Sequence, residues 1–312
     1  MHSPLARVIL TVLGGYLLIL LLMTAYDWIE AEFPRPPDMP TATGAVQHPF
    51  HHEKALAALA SFARLPEAEK NALRRSLEAG LISMDTWLDR LGRRQCPVLC
   101  LGELHAENTR RFLAGTFFGR YPADVLMLET TPDGLARLTR RMEAGRAYFP
   151  LLEADILAVL RAARSGNAAV QIVGIEETEA QQAGREGRSG SRDRAIARNF
   201  WQRYHPGRRH VVLFGALHCA DEAHWLFGNL KRQAPPALAQ RMVNARVLGE
   251  HQSGPVEAFV FLLDGLGLAP ADFVVADTDA LHPLITTWLP LLKAQILDKF
   301  QVLIVFRDTG AR

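Results

Sequence analysis

"PVLCLGELH" (97–105) and "HVVLFGALH" (210–218) decide how this chain is read. Each is an apolar run that ends in Gly-x-x-His. Neither run alternates apolar with polar residues, as expected of a strand buried on both faces of a parallel sheet. One Gly-x-x-His is common by chance, and a lone histidine after a strand is more often a hydrogen-bonded loop residue than a catalyst. Two copies in the same local context ask for a shared cause.

Outward from these runs the texture repeats. "DVLMLE" (124–129) and "AVQIVGI" (169–175) are further apolar runs, and amphipathic spacing predicts helices over 107–118, 133–145, 151–165, 192–204 and 221–232. Strands are also expected at 256–263 and 272–276, with "QVLIVF" (301–306) closing the sheet. No period of 20–50 residues marks a repeat architecture. The expected fold class is therefore α/β, a mainly parallel sheet covered by helices on both faces. In such sheets ligands bind outside the carboxyl ends of the strands. The four runs stop at Glu103 and His105, at Glu129, at Glu176 and Glu177, and at His218. Parallel strands bring these ends to one edge, so distance along the chain is no obstacle to their meeting. Gly102 and Gly215 are expected to let the backbone turn sharply there.

Ahead of this unit the chain changes character. "VILTVLGGYLLILLLMTAY" (8–26) is uncharged and would span roughly 28 Å as a helix, close to a bilayer core. Arg7 precedes it and Asp27, Glu30 and Glu32 follow, so the remainder should face outward, on the periplasmic side. A cleaved signal peptide is the rival, but its apolar region is usually shorter and "MTAYDW" offers a poor cleavage site. The organisation expected is a single-pass transmembrane anchor (1–30), a proline-rich linker (31–52) and one α/β domain (53–312) with a helical prelude (53–95). Within the prelude, helices are expected at 53–64, 66–79 and 84–93, the last capped by Ser83.

Composition narrows the function classes. With 35 Lys and Arg against 33 Asp and Glu, no global electrostatic case exists for nucleic acid. Three cysteines make no disulfide framework, and Cys96, Cys100 and Cys219 read as small buried hydrophobes. A Cys100–Cys219 contact stays open, since both lie beside the two motifs. Glu129 could merely cap the following helix, although Thr131 and Asp133 serve that better. Of Glu176 and Glu177, one is expected to face the cleft and its neighbour solvent. "QQAGREGRSGSRDRAIARNFWQRY" (181–204) begins as a loop and continues as a helix that opens at Arg192. An arginine in the first turn opposes the helix macrodipole, so a carboxylate such as Glu129 or Glu103, or an anionic ligand, is expected beside it.

Taken in order, "GELH" (102–105), "ETTPDGL" (129–135), "RDRAIARN" (192–199) and "GALH" (215–218) resemble the superfamily that joins Tiki and TraB proteins, ChaN-like haem-binding proteins and erythromycin esterases. The resemblance covers about residues 97–230 well. It implies a site of Glu103, His105, Glu129, Arg192 and His218. Its members differ in chemistry: metal-dependent peptidases, hydrolases of a macrocyclic ester, and haem binders. "GELH" has the spacing of the Tiki and ChaN branches, while the esterases carry one more residue between Glu and His.

The expectation is a membrane-anchored, outward-facing hydrolase acting on a peptide or ester bond of a small-molecule or peptide substrate. His105 would be a general base or metal ligand and His218 the second, with Glu103 and Glu129 as carboxylate partners and Arg192 stabilising negative charge. A divalent ion such as manganese or zinc, held by His105, Glu129 and His218, is the expected cofactor. The alternative is a haem- or iron-binding protein without catalysis. A ChaN-like haem site needs a tyrosine, for which Tyr121, Tyr148 and Tyr204 are candidates.

Overall fold

The computed structural model describes residues 49–143, 152–184, 191–268, 272–276, 281 and 290–307. The anchor and all of the linker up to residue 48 lie outside the described residues, as do Tyr148 and residues 185–190. Among the described residues no helix is long and apolar enough to cross a membrane.

The prelude holds α1 (Pro49–Ala63), α2 (Glu67–Gly80), a two-residue strand β1 (Leu81–Ile82) and α3 (Met84–Arg94). Helix α1 takes in the last residues assigned to the linker, so helical structure starts at 49 rather than 53. Local chemistry sets both ends of α3. Ser83 Oγ accepts from the Thr86 amide at 3.2 Å, and Gln95 ends the helix in the left-handed region at φ 48°. Asp85 in the first turn and Arg93 and Arg94 in the last complement the macrodipole. Its buried stripe, Met84, Trp87 and Leu91, faces the sheet.

The alternation follows. Strand β2 (Val98–Glu103) leads into α4 (Glu107–Phe112), which continues as a π-helical turn, Leu113–Phe118. Next come β3 (Val125–Leu128), α5 (Pro132–Glu143), α6 (Leu152–Gly166), β4 (Gln171–Gly174), α7 (Glu179–Ala183) and α8 (Ser191–Trp201). Strand β5 (His210–Gly215) runs into a 3-10 turn, Ala216–Cys219, and then α9 (Leu226–Gln233) and α10 (Pro236–Ala239). Last are β6 (Val243–Gly249), α11 (Gly254–Gly265), β7 (Asp272–Val275), α12 (Pro290–Leu292) with its π-turn Lys293–Leu297, and β8 (Val302–Phe306).

All eight strands form one sheet in the order β1-β7-β8-β6-β2-β5-β3-β4. The pairings from β8 to β4 are parallel, while β7 lies antiparallel to β8 and β1 antiparallel to β7. A mixed, mostly parallel α/β sheet is thus the architecture. Strand residues alternate between two packed clusters. Val98, Cys100, Val212 and Phe214 meet Phe62, Ile196, Phe200 and Phe259, whereas Leu99, Leu101, Val211 and Leu213 meet Trp87, Phe117 and Leu160. Each fully buried side chain of this kind stabilises by about 1.5–3 kcal/mol, and Phe200→Ala would cost about 3–5 kcal/mol.

One expected strand is wrong. Residues 256–263 are the middle of α11, and the strand beside β2 is β6, which the sequence pattern conceals. "VEAFVFLL" is apolar all round because it is buried all round, and periodicity cannot separate such a helix from a buried strand. The Ser253-Gly254-Pro255 start, with proline in the first helical turn, is the signal that marks it as a helix. Asn244 and Arg246 interrupt the apolar pattern of β6 and hide it. The helix expected at 221–232 begins at Leu226, because the 3-10 turn and the loop after it take up the preceding residues.

Candidate active site

The β2–β5 register sets Glu103 opposite Gly215, so both Gly-x-x-His turns leave the sheet side by side. The two glycines matter for close approach rather than for an unusual turn. A Cβ at Gly102 would stand 3.1 Å from the Ala216 Cα, and one at Gly215 would stand 2.8 Å from His105 Nε2 and 3.3 Å from Glu129 Oε2. The strained residue is His105 itself, at φ 52°, a left-handed conformation that a non-glycine residue adopts at some cost. Through it the imidazole turns back over the strand ends.

His105 lies between two carboxylates, with Nδ1 3.1 Å from Glu103 Oε1 and Nε2 3.2 Å from Glu129 Oε2. Its hydrogen bonds to Glu103 and then Glu129 outweigh burial and raise its pKa to about 9. Arg110 Nη2, 3.0 Å from the same Nδ1, opposes this as a second cation. The carboxylates prevail, so the ring is an imidazolium at neutral pH. Glu103 is 2 % exposed, and Arg110 grips it through Nε (2.9 and 3.1 Å) and Nη2 (2.9 Å). A charge this deep is tolerable only with such a partner.

Glu129 is the hub. Oε2 accepts from the Gly215 amide at 2.6 Å, and Oε1 accepts from Arg192 Nη2 at 2.9 Å. Burial would raise its pKa, but the His105 hydrogen bond, the Gly215 amide and the charge on His105 hold it at about 2. It does not cap α5, because Thr131 Oγ1 takes the Gly134 amide at 3.1 Å.

Arg192, the second residue of α8, also grips Glu176 through Nε (3.0 Å) and Nη2 (2.7 Å). Glu176 and then Glu129 outweigh the burial of this guanidinium and push its pKa up. An arginine that the helix macrodipole disfavours is thus held by two carboxylates. Glu177 does not face solvent; it is buried as well. Asn199 ties α8 to the end of β4 through the Ile175 and Glu176 carbonyls, both at 3.2 Å.

His218 is arranged differently. Nδ1 meets Asp193 Oδ1 at 2.5 Å, and Nε2 lies 2.9 Å from Arg192 Nη1 and 3.5 Å from Glu129 Oε1. Nδ1 thus faces a carboxylate, and Nε2 faces chiefly a guanidinium, which can only donate. Phe214 and Trp225 form an aromatic shell around the ring.

The expected residues Glu103, His105, Glu129, Arg192 and His218 therefore lie in one hydrogen-bonded cluster. Sequence reasoning missed Asp193, Arg110 and the role of Glu176. Asp193 follows Arg192 in the same first helical turn, and nothing local marks its contact with His218. A contrasting histidine is His210, at the opposite edge of the sheet. Its Nδ1 donates to the Pro97 carbonyl at 3.2 Å, Nε2 accepts from the His205 amide at 3.2 Å, and desolvation lowers its pKa. It is structural.

The donor set does not fit a divalent ion as it stands. Both nitrogens of His105, His218 Nε2 and both oxygens of Glu129 are committed to other partners, and the guanidinium fills the place between Glu129 and His218. Among the described residues no group of three or more His, Cys, Asp or Glu has metal-holding geometry. The tyrosines lie elsewhere: Tyr121 precedes β3 and Tyr204 packs on Phe200 and His210, both at the amino edge of the sheet. Cys100 and Cys219 form a disulfide behind the two turns, and Cys96 is a buried free thiol.

No family model matches the chain, and no curated protein matches it in sequence. Three solved structures that it resembles are described as bacterial toxins. One described as bacterial protein toxins is 17 % identical, with 63 % of this chain and 42 % of that one covered and a TM-score of 0.36. RRSP, a MARTX toxin effector domain from Vibrio vulnificus CMCP6, is 16 % identical, with 65 % and 42 % covered and a TM-score of 0.34. A third, also described as bacterial protein toxins, is 14 % identical, with 64 % and 46 % covered and a TM-score of 0.35. The match spans less than half the length of each, and similarity this low carries no argument about activity.

Proposed function

We propose that this chain is an outward-facing, membrane-anchored hydrolase of a peptide or ester bond, working by acid–base chemistry of its own side chains. The observation that carries this is the opposite surroundings of the two histidines, His105 between Glu103 and Glu129 and His218 between Asp193 and Arg192. His105, held as imidazolium by Glu103 and Glu129, is a general acid in waiting. His218, with its proton committed to Asp193, offers Nε2 as the base. When substrate enters, Arg192 moves its Nη1 from His218 onto the oxygen that gains negative charge. Nε2 is then free to take a proton from the attacking water. His105 protonates the leaving group. The resemblance to the Tiki, ChaN-like and erythromycin esterase superfamily supports the hydrolase class. It also implies a metal in some members, and here a divalent ion would require Arg192 to swing away from Glu129 and His218.

Localisation follows from the sequence at 8–26 and gains support from the buried Cys100–Cys219 disulfide, since such links persist in oxidising compartments. The test is the pH profile of kcat/KM on a panel of peptides and esters, with elemental analysis and an absorbance spectrum of the purified full chain. A bell with its alkaline limb near pH 9, lost in His105→Gln, is expected. A stoichiometric metal ion would replace the metal-free mechanism, and a Soret band would favour the haem-binding alternative. A reporter fused after residue 45 that is active only in the cytoplasm would overturn the orientation.

A further inference from the structure

Arg110 and Arg192 each grip a carboxylate, but Arg246, on the strand next to β2, grips none among the described residues. Arg246 lies on β6, in register with Gly102 on β2 and Leu303 on β8. Side chains of laterally paired residues leave a sheet on the same face, with strands about 4.8 Å apart. At Gly102 that face is covered by Ala216 and Cys219, members of the 3-10 turn that carries His218. Asn244, two residues earlier on the same face of β6, donates to the Cys219 carbonyl at 2.7 Å. Arg246 lies two residues nearer the carboxyl edge, on the face of the sheet that carries that turn.

Among the described residues this guanidinium is left unsatisfied. Nη1 is buried and has no hydrogen-bond partner, and among the described residues no carboxylate pairs with Arg246. Burial alone lowers its pKa to about 10, with no opposing carboxylate. The residue as a whole is only half-buried. An arginine placed in a low-dielectric setting without a counter-ion costs stability, and an apolar residue of the same length would fit the strand better. Its planar fork matches one kind of ligand, an oxyanion with two or more equivalent oxygens.

We infer that Arg246 is an anion-binding subsite beside the hydrolytic cluster, one that holds a carboxylate or phosphate group of the substrate. The inference rests on the hydrolase reading only for the word substrate; the anion site stands on Arg246 alone. Bound there, the anion supplies the missing counter-charge and anchors the substrate one strand away from Glu103 and His105. The substrate class narrows accordingly to anionic peptides or esters.

The test is thermal unfolding of the full chain in detergent, titrated with inorganic phosphate and separately with succinate, against sodium chloride at equal ionic strength. At least one of the two anions should raise the melting temperature of the wild type, as a ligand that binds only the folded state must. The anion with the larger shift names the oxyanion class. Arg246→Met should fold at least as well as wild type and bind that anion at least ten-fold more weakly, and Arg246→Lys should fall between the two. His218→Ala should keep the shift, because its loss affects hydrolysis and not the anion. A chain that binds the anion through Arg246 but hydrolyses nothing would retire the hydrolase reading and leave this site in place. No shift with either anion in the wild type, or an undiminished shift in Arg246→Met, would overturn the proposal. Should Arg246→Met fail to fold, an undiminished shift in Arg246→Lys would overturn it equally.

Discussion

The GELH turn and the GALH turn share a pattern, a sheet edge and a neighbouring register, yet they build opposite environments. At the first, the His105 side chain is 43 % exposed, left-handed in its backbone, and flanked by Glu103 and Glu129. At the second, the His218 side chain is 11 % exposed in an ordinary 3-10 turn, with Asp193 behind it and a guanidinium in front. The same four-letter pattern thus sets one ring between two carboxylates and the other between a carboxylate and a guanidinium. The residues that make the difference come from other elements: Glu129 from the end of β3, and Arg192 and Asp193 from α8. Repetition in sequence here means repetition of position, with chemistry assigned by the neighbours.

The sharpest way to break this comparison is to remove each side of the acid–base pair in turn. His105→Gln, His218→Ala and Asp193→Asn should each lower kcat/KM by about 10²- to 10⁴-fold. The first should abolish the alkaline limb of the pH profile, while Asp193→Asn should leave it in place. Equal profiles in all three would mean the two turns do the same job.

Stability should divide the turns in the opposite order. His218→Ala leaves the carboxylate of Asp193 buried without its partner and should cost about 3 kcal/mol in urea unfolding. His105→Ala leaves Glu103 with Arg110 but loses the ring between two carboxylates, so about 1 kcal/mol is expected. Equal losses would show that both histidines are chiefly structural.

A smaller effect tests the close approach between the turns. Gly215→Ala puts a Cβ 2.8 Å from His105 Nε2, so overpacking of about 1–2 kcal/mol is expected, together with loss of the raised His105 pKa by NMR titration. A His105 that still titrates near pH 9 would mean the ring does not sit over Gly215.

The pH dependence of stability should be smaller again, about 1 kcal/mol for His105 once its exposure is discounted. Its folded pKa is raised, so the stabilisation is complete below about pH 6.5 and fades as pH rises through about 9. Glu129 is depressed to about 2, so its contribution is complete above about pH 4.5 and fades as pH falls toward 2. Stability that rises from pH 7 to 9 would contradict this environment for His105. At the bottom of the scale, His224→Ala should change stability by no more than about 0.5 kcal/mol, because that ring is 60 % exposed and pairs loosely with Glu222 at 3.6 Å.

Much of this architecture is legible in the residues themselves. Uninterrupted runs such as Val98–Glu103 and His210–Gly215 reveal themselves because a parallel strand buried on both faces has no polar side to show. The five residues at the carboxyl ends of such runs and on α8 do meet, as a shared edge requires. Strand β6 stays hidden, because Asn244 and Arg246 break its pattern. Helix α11 reads as a strand, because a helix buried all round loses its polar stripe. Asp193 looks like one more polar residue in a helical first turn, and nothing local shows that His218 waits beside it.

The sequence alone determined which elements are buried, and from that, through the rule that parallel strands share an edge, which residues come together. Apolar burial is a property of each segment, and it is written locally in the residues that make the segment up. Protonation and partnership were decided only by the tertiary structure. Whether a histidine holds or accepts a proton depends on charges a few ångströms away through space, here Glu103 and Glu129 for one ring and Asp193 and Arg192 for the other. Those neighbours arrive from distant parts of the chain, and electrostatic energy depends on separation in space and on burial rather than on position in sequence.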